Sequence, residues 1–182
     1  VDCVAGKFEL NGNAACADTP AGHVGRVAND VHAVANEVGA LYSSPCSAGY
    51  FRVAAAVGTT ADCLDIAAGK QGQLLGTGSV YAPTGAKFAV ACVAGKYSTD
   101  GDGECADIAA GKQGQLLGTG SVYATPGAVF QVACVAGKYS TDGDGACADI
   151  AAGKQGQLLG TGSVYAATGA AFQVDCVAGK FE

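Results

Sequence analysis

Residues Cys134 to Asp175 repeat the preceding stretch, Cys92 to Ala133, with five differences: Glu104/Ala146, Thr125/Ala167, Pro126/Thr168, Val129/Ala171 and Ala133/Asp175. Of 42 positions, 42 − 5 = 37 are unchanged. A tandem unit kept this closely marks an array whose short units gain stability from their neighbours. Alignment on the start Cys-x-Ala-Gly-x-aromatic divides the chain into a divergent first repeat at 3–45 and further repeats at 46–91, 92–133 and 134–175. Cys176 opens another over 176–182. The closing VDCVAGKFE at 174–182 is identical to the opening VDCVAGKFE at 1–9. The match reads as one period of a higher-order repeat within a longer protein. A unit of about 40 residues sits at the size where disulfides, metals or neighbours are needed to hold it together.

Nine cysteines supply such a staple, at 3, 16, 46, 63, 92, 105, 134, 147 and 176. Their gaps of 13, 30, 17, 29, 13, 29, 13 and 29 alternate too regularly for scattered thiols. There is no C-x-x-C pair and there are only two histidines, so a disulfide framework is a better reading than zinc or an iron–sulfur cluster. Pairing within each repeat joins Cys3 with Cys16, Cys46 with Cys63, Cys92 with Cys105 and Cys134 with Cys147, and leaves Cys176 over. Links from Cys16 to Cys46, Cys63 to Cys92 and Cys105 to Cys134 would be equally regular. Either scheme implies an oxidising, extracellular or cell-surface setting.

A conventional core has little to draw on. Aromatic residues are 7% of the chain, Trp and Met are absent, and Gly numbers 29. The positive mean hydropathy of +0.26 comes mostly from Ala and Val, which bury little area apiece. The net charge of −6 and the lack of any Lys/Arg run argue against nucleic acid as a partner. No apolar run approaches the 18 residues that would suggest a transmembrane segment in this fragment.

The local pattern predicts an all-β chain: an elongated tandem array of small disulfide-stapled β-hairpin repeats. Phe130-Gln131-Val132-Ala133-Cys134 alternates, placing Phe130, Val132 and Cys134 on one face. Ser121 to Ala124 is the most strand-like of the short pieces between glycines. The Asp-Gly pair within Ser98 to Gly103 suits a hairpin turn, and Cys92 and Cys105 flank it. The first repeat differs, because Val27, Val31, Val34, Val38 and Leu41 recur at spacings of 4, 3, 4 and 3. That periodicity predicts a short amphipathic helix over about Gly25 to Ala40. The loop between Cys46 and Cys63 is four residues longer than its counterparts, which argues for its exposure.

The head of each repeat, Cys92-Val-Ala-Gly-Lys-Tyr-Ser98 through Cys105, resembles the ephrin-receptor-like cysteine-rich repeats found in arrays on surface proteins of algae, ciliates and other protists. The likeness covers about 16 residues of each repeat. It departs from those modules where Ile108, in Cys105-Ala-Asp-Ile108, stands in place of the second cysteine of their C-x-x-C junction. Ala109-Ala-Gly-Lys-Gln113 looks like a second, cysteine-less copy of the Ala-Gly-Lys-Tyr half-unit. The resemblance implies a rod of short β-hairpins.

Few residues suggest chemistry. Asp100 and Asp102, and again Asp142 and Asp144, lie on glycine-flexed turns and could gather oxygen ligands for calcium, although the further ligands of a calcium loop are missing. Ala-Gly-Lys112-Gln and Gly118-Thr-Gly-Ser121 lack the spacing and the helix of a phosphate loop. His23 and His32 sit in no repeated arrangement. Tyr42, Tyr50, Tyr81, Tyr97, Tyr123, Tyr139 and Tyr165 follow the repeat and are expected to stack as its few large core side chains. With no constellation for an enzyme, the expected role is a structural repeat segment that builds a fibre, hair or sheath by self-association or with further repeats of the same protein. The alternative is an adhesion or receptor ectodomain binding a protein or glycan, favoured if the first repeat alone exposed a large apolar patch. O-glycans on Gly-Thr-Gly-Ser would make the chain a glycoprotein, while N-x-[ST] sequons are absent.

Overall fold

A computed structural model describes residues 2–9, 15–27, 35–53, 62–76, 80–116, 122–158 and 164–177. Among them the chain is all-β, with sixteen short strands and no helix. The strands pair two by two, each pair forming its own sheet. Every repeat contributes two such pairs, a two-residue head hairpin and a four-residue tail hairpin.

The third repeat illustrates the local logic. Its head pairs Lys96–Tyr97 with Ala106–Asp107, antiparallel, and its tail pairs Lys112–Gln115 with Phe130–Ala133. Each first strand is launched by the same turn. The amide of Lys96 donates to the Val93 carbonyl at 3.1 Å, and that of Lys112 to the Ala109 carbonyl at 3.1 Å. The residue before each lysine, Gly95 or Gly111, has φ of 79° or 77°. A left-handed residue at the third place of a four-residue turn is the type II requirement, which only glycine meets without strain. The two Ala-Gly-Lys segments are therefore two copies of one device, the first followed by a cysteine-closed loop and the second not.

Four disulfides close the head loops: Cys3–Cys16, Cys46–Cys63, Cys92–Cys105 and Cys134–Cys147, with Cα separations of 5.6 to 5.9 Å. The pairing is thus within repeats, and the alternative links between repeats do not form. Cys176 is free. Across the two-residue ladders, register places Lys7 opposite Asp18, Lys96 opposite Asp107 and Lys138 opposite Asp149. These pairs form ion pairs of 2.9, 2.6 and 2.5 Å. Such exposed pairs are worth roughly 0.2–1 kcal/mol each, so the cross-link dominates the head.

The apolar interior is broken into small clusters. Val24, Cys46 and Cys63 form one, with Tyr50 against it; Ile66, Ala82 and Ala86 form another, with Phe51 and Ala89. Ile108, Ala124 and Ala128 form a third, with Tyr97. One buried isoleucine contributes roughly 1.5–3 kcal/mol, too little to fix a repeat alone. The chain divides into two compact units, Val1–Val90 with Asp100–Glu104, and Ala91–Thr99 with Cys105–Glu182.

Three local expectations need correction. The helix over Gly25 to Ala40 is not formed at any described position: His23–Arg26 is a strand paired with Tyr42–Pro45, and 35–40 is irregular, while 28–34 lie outside the described residues. Gly25 sits in the middle of that ladder, packed so closely that a Cβ there would lie 2.9 Å from Ala40 Cβ. Val27, Val38 and Leu41 are exposed, so the apparent stripe buries nothing at these places. Phe130 does not face a core with Cys134, being 39% exposed while Cys134 is buried. Of the strand-like Ser121 to Ala124, only Tyr123 makes a bridge, to Gln115, and Ser121 is outside the described residues. In both cases the residue opposite is Gln115, which offers no apolar side chain to pack on.

Replacing both Cys134 and Cys147 by Ser should remove about 3 kcal/mol from the local stability of the fourth repeat, the loop-closure value for a loop of this size. Amide hydrogen exchange of Lys138, Tyr139 and Ala148 checks it. Unchanged protection would mean the hairpin stands without its staple.

Candidate functional site

The features that recur most faithfully are not in a cleft but at the joints between one repeat and the next. Within the first unit, the turn Asp100-Gly101-Asp102 lies on the second repeat. A Cβ added to Gly101 would lie 1.9 Å from the Ile66 carbonyl oxygen, and one added to Gly49 would lie 2.3 Å from Asp102 Oδ1. The Tyr81 hydroxyl donates to the Asp102 carbonyl at 3.1 Å. Within the second unit the same contacts return, 42 residues on for Ile66, Tyr81, Gly101 and Asp102 and 46 residues on for Gly49. Gly143 approaches the Ile108 carbonyl, where a Cβ would lie at 2.4 Å; Gly95 lies beneath Asp144, at 2.1 Å from Oδ1 by the same measure; and Tyr123 donates to the Asp144 carbonyl at 2.8 Å. At Gly101 and Gly143 the obstacle is main chain and leaves no room for a side chain, whereas at Gly49 and Gly95 it is an aspartate oxygen and the left-handed φ of 78° and 79° is what favours glycine.

The shape of the turn is set locally. Asp102 and Asp144 donate their amides to the carboxylates of Asp100 and Asp142, each at 3.1 Å, and the Gly143 amide donates to Ser140 Oγ at 3.0 Å. Aspartate side chains that accept from the backbone two residues on stabilise turns of this kind. The four aspartates considered for calcium are therefore placed in the joint, two shaping the turn and two seated over a glycine of the preceding repeat. Among the described residues, no group of three or more His, Cys, Asp or Glu side chains is placed to hold a metal ion.

A second contact runs alongside. Gly111 donates its amide to the Ser140 carbonyl at 2.7 Å and accepts from the Cys134 amide at 2.8 Å. Between the first and second repeats, Gly22 donates to Arg52 and accepts from Cys46, both at 2.7 Å. Glutamines extend the network. Gln113 Oε1 accepts the Cys147 amide at 2.9 Å, and Gln131 spans the Tyr97 hydroxyl at 2.9 Å and the Ala109 amide at 3.2 Å. Gln173 repeats this with Tyr139 and Ala151.

One joint is chemically distinct. Where later repeats carry Ser98 and Ser140, the second has Arg52, and it is 2% exposed. Its Nη1 donates to Thr19 Oγ1 and to the His23 carbonyl of the first repeat. Burial lowers the guanidinium pKa, and the Asp62 carboxylate offsets part of that shift. Asp62 in turn accepts the Asn36 amide at 2.7 Å, and Asn36 accepts from Gly25 at 2.9 Å. The first repeat is thus tied to the second by a charge-assisted contact from Arg52, at the place where the later repeats carry serine. The second repeat's longer loop lies outside the described residues over 54–61.

The tyrosines act through their hydroxyls as much as through their rings. Tyr50 and Tyr97 pack on the small clusters, Tyr81 and Tyr123 hold the joints, and Tyr42 is 42% exposed. His23 Nδ1 lies 3.3 Å from the Ala21 carbonyl, and His32 is outside the described residues. Lys112 begins a strand, and 117–121 lie outside the described residues. Sequence reasoning missed Arg52 and the glutamines; the available signal was that glutamine stays fixed at 71, 113 and 155 beside the Ala-Gly-Lys turn.

No known protein family matches the chain by its family model, and comparison with curated proteins finds no match. Four disulfides fit an extracellular or secreted protein. No described helix is long and apolar enough to cross a membrane.

The Tyr81 phenol is pushed above its ordinary value near 10, first by burial and then by the negative charges of Glu104 and Asp102. The neutral phenol is the donor. Its contribution is therefore complete below the unfolded chain's value and is lost as pH rises through the folded-state value. At neutral pH the wild type should exceed Tyr81→Phe by about 1 kcal/mol. That margin should begin to fall as pH passes the unfolded chain's value of about 10 and be gone once pH exceeds the raised folded-state value, as followed by denaturant unfolding. A margin constant from neutral to alkaline pH would show that the hydroxyl does not hold the turn.

Proposed function

We propose that this chain is a structural repeat segment of an extracellular or cell-surface protein, contributing to a fibre, hair or sheath by stacking along the chain and associating laterally. The observation that carries the reading is the repetition of the joint: the same glycine, isoleucine, tyrosine and aspartate contacts recur at 42-residue spacing. A recurring joint presents whatever lies beside it at recurring positions. Apolar side chains follow suit. Val80, Val122 and Val164 are 85%, 86% and 80% exposed, and Phe88, Phe130 and Phe172 are 39%, 39% and 38% exposed. Large apolar residues left in water at every repeat support a lateral partner with the same period.

A receptor or adhesion role would be favoured by an apolar patch confined to the divergent first repeat. Described residues of all four repeats expose large apolar side chains, which favours the structural reading. The likeness of the heads to ephrin-receptor-like repeats of surface arrays agrees with it.

Negative-stain electron microscopy and sedimentation of the concentrated protein test the proposal. The wild type should form filaments or laterally associated bundles, and the triple variant Val80→Lys, Val122→Lys, Val164→Lys should stay dispersed with unchanged unfolding. A wild type that remains monodisperse at every concentration would remove the structural reading.

A further inference from the structure

The two joint turns hold all four Asp-Gly pairs of the chain, at 100–101, 102–103, 142–143 and 144–145. Asp-Gly is the dipeptide in which a main-chain nitrogen most easily reaches the carboxyl carbon of the residue before it, because glycine puts no Cβ beside the attacking atom. The fold treats the two pairs of each turn differently. In the first pair of the fourth repeat both groups are engaged: Asp142 Oδ1 accepts the Asp144 amide at 3.1 Å, and Gly143 is buried with its amide donating to Ser140 Oγ at 3.0 Å. In the third repeat Asp100 accepts the Asp102 amide, again at 3.1 Å, and Gly101 is buried on the Ile66 carbonyl.

The second pair of each turn is open. Asp144 and Asp102 are exposed, and among the described residues their carboxylates accept no hydrogen bond and the amides of Gly145 and Gly103 donate none. A Cβ at Gly145 or Gly103 would meet nothing within 4 Å, so the space beside each nitrogen is clear. The peptide that carries this nitrogen is the one whose carbonyl the joint tyrosine holds. Tyr123 donates to the Asp144 carbonyl at 2.8 Å, and Tyr81 to the Asp102 carbonyl at 3.1 Å. A donor on a peptide oxygen draws charge from the adjoining nitrogen, makes its N–H more acidic and stabilises the imidate anion left when that proton departs.

We propose that Asp144-Gly145 and Asp102-Gly103 are sites of spontaneous isoaspartate formation, each promoted by its joint tyrosine, while the fold protects Asp142-Gly143 and Asp100-Gly101. The Gly145 amide gives its proton to solvent, and its nitrogen attacks Cγ of the protonated Asp144 carboxyl. The carboxyl C–OH bond breaks, the hydroxyl takes a proton and leaves as water, and a five-membered succinimide closes. A second water then adds to the main-chain carbonyl carbon of Asp144; its bond to nitrogen breaks and the nitrogen regains a proton. The chain now runs through Cγ, with an α-carboxylate set free, and one water lost is balanced by one gained. The main chain is longer by one methylene, which displaces the carbonyl that Tyr123 holds and the carboxylate over Gly95, so the reaction loosens the joint that promotes it. The inference stands on the geometry of the joint and not on the proposed structural role.

The test incubates the full, folded and disulfide-bonded chain at neutral pH and locates isoaspartate by peptide mapping, with fragmentation that distinguishes it from aspartate. Asp144 and Asp102 should isomerise at least about tenfold faster than Asp142 and Asp100, whose hydrogen bonds must first break. In the reduced, denatured chain the four pairs should react at comparable rates. Tyr123→Phe should slow reaction at Asp144 roughly fivefold and leave Asp102, in the other unit, unchanged, and Tyr81→Phe should do the reverse. Isoaspartate spread evenly over the four pairs of the folded chain, or absent from Asp144 and Asp102 while the denatured chain forms it, would overturn the proposal. So would the same ranking in the denatured chain, which would trace it to local sequence, or a Tyr123→Phe variant that isomerises at Asp144 as fast as the wild type or faster.

Discussion

The structure depends on one steric condition: the backbone of a glycine turn must lie directly on the carbonyl of the preceding repeat's isoleucine. At Gly101 on Ile66 and Gly143 on Ile108 the approach is closer than any β-carbon permits. The short approach brings an aspartate over a second glycine and its carbonyl to a tyrosine hydroxyl. Hydrogen bonds and close backbone packing at this joint replace the interdigitated side chains that hold larger domains.

That choice explains the composition. Glycine at 29 positions raises the entropy cost of ordering the chain, and clusters of three buried side chains cannot offset it. The disulfides act on the other side of the balance by restricting the unfolded head loops, worth about 3 kcal/mol for a loop of this length. The staple fixes each head, and the fixed head presents its turn to the neighbour. Arg52 shows the same need met differently, with a buried guanidinium reaching the first repeat through Thr19 and His23.

The architecture was legible because its signals are covalent or conformational. Cysteine spacing pointed to closed loops, and Ala-Gly-Lys recurring twice in each of the third and fourth repeats marked two equivalent turns that the structure forms at Gly95 and Gly111 alike. Side-chain periodicity was misleading for the converse reason. Val27, Val38 and Leu41 have a helical spacing, yet a strand at His23–Arg26 and the tight packing of Gly25 on Ala40 prevail, because backbone contacts outweigh a stripe with nothing to cover it. Phe130 alternates with Val132 and Cys134 and still stays partly in water. The joints could not be anticipated, since the atoms that meet there are mostly main chain, and the tyrosines that mark them contribute a hydroxyl as well as a ring.

Three alanine substitutions in one repeat separate the causes. Gly143→Ala adds both a left-handed strain, at φ of 79°, and a collision with Ile108; Gly137→Ala adds the strain alone, at φ of 78°; Gly145→Ala adds neither. Denaturant unfolding should rank them in that order, with Gly137→Ala costing about 1–2 kcal/mol from strain and Gly143→Ala exceeding it by at least as much again. If Gly143→Ala costs no more than Gly137→Ala, the close seating of turn on carbonyl is not what holds successive repeats together.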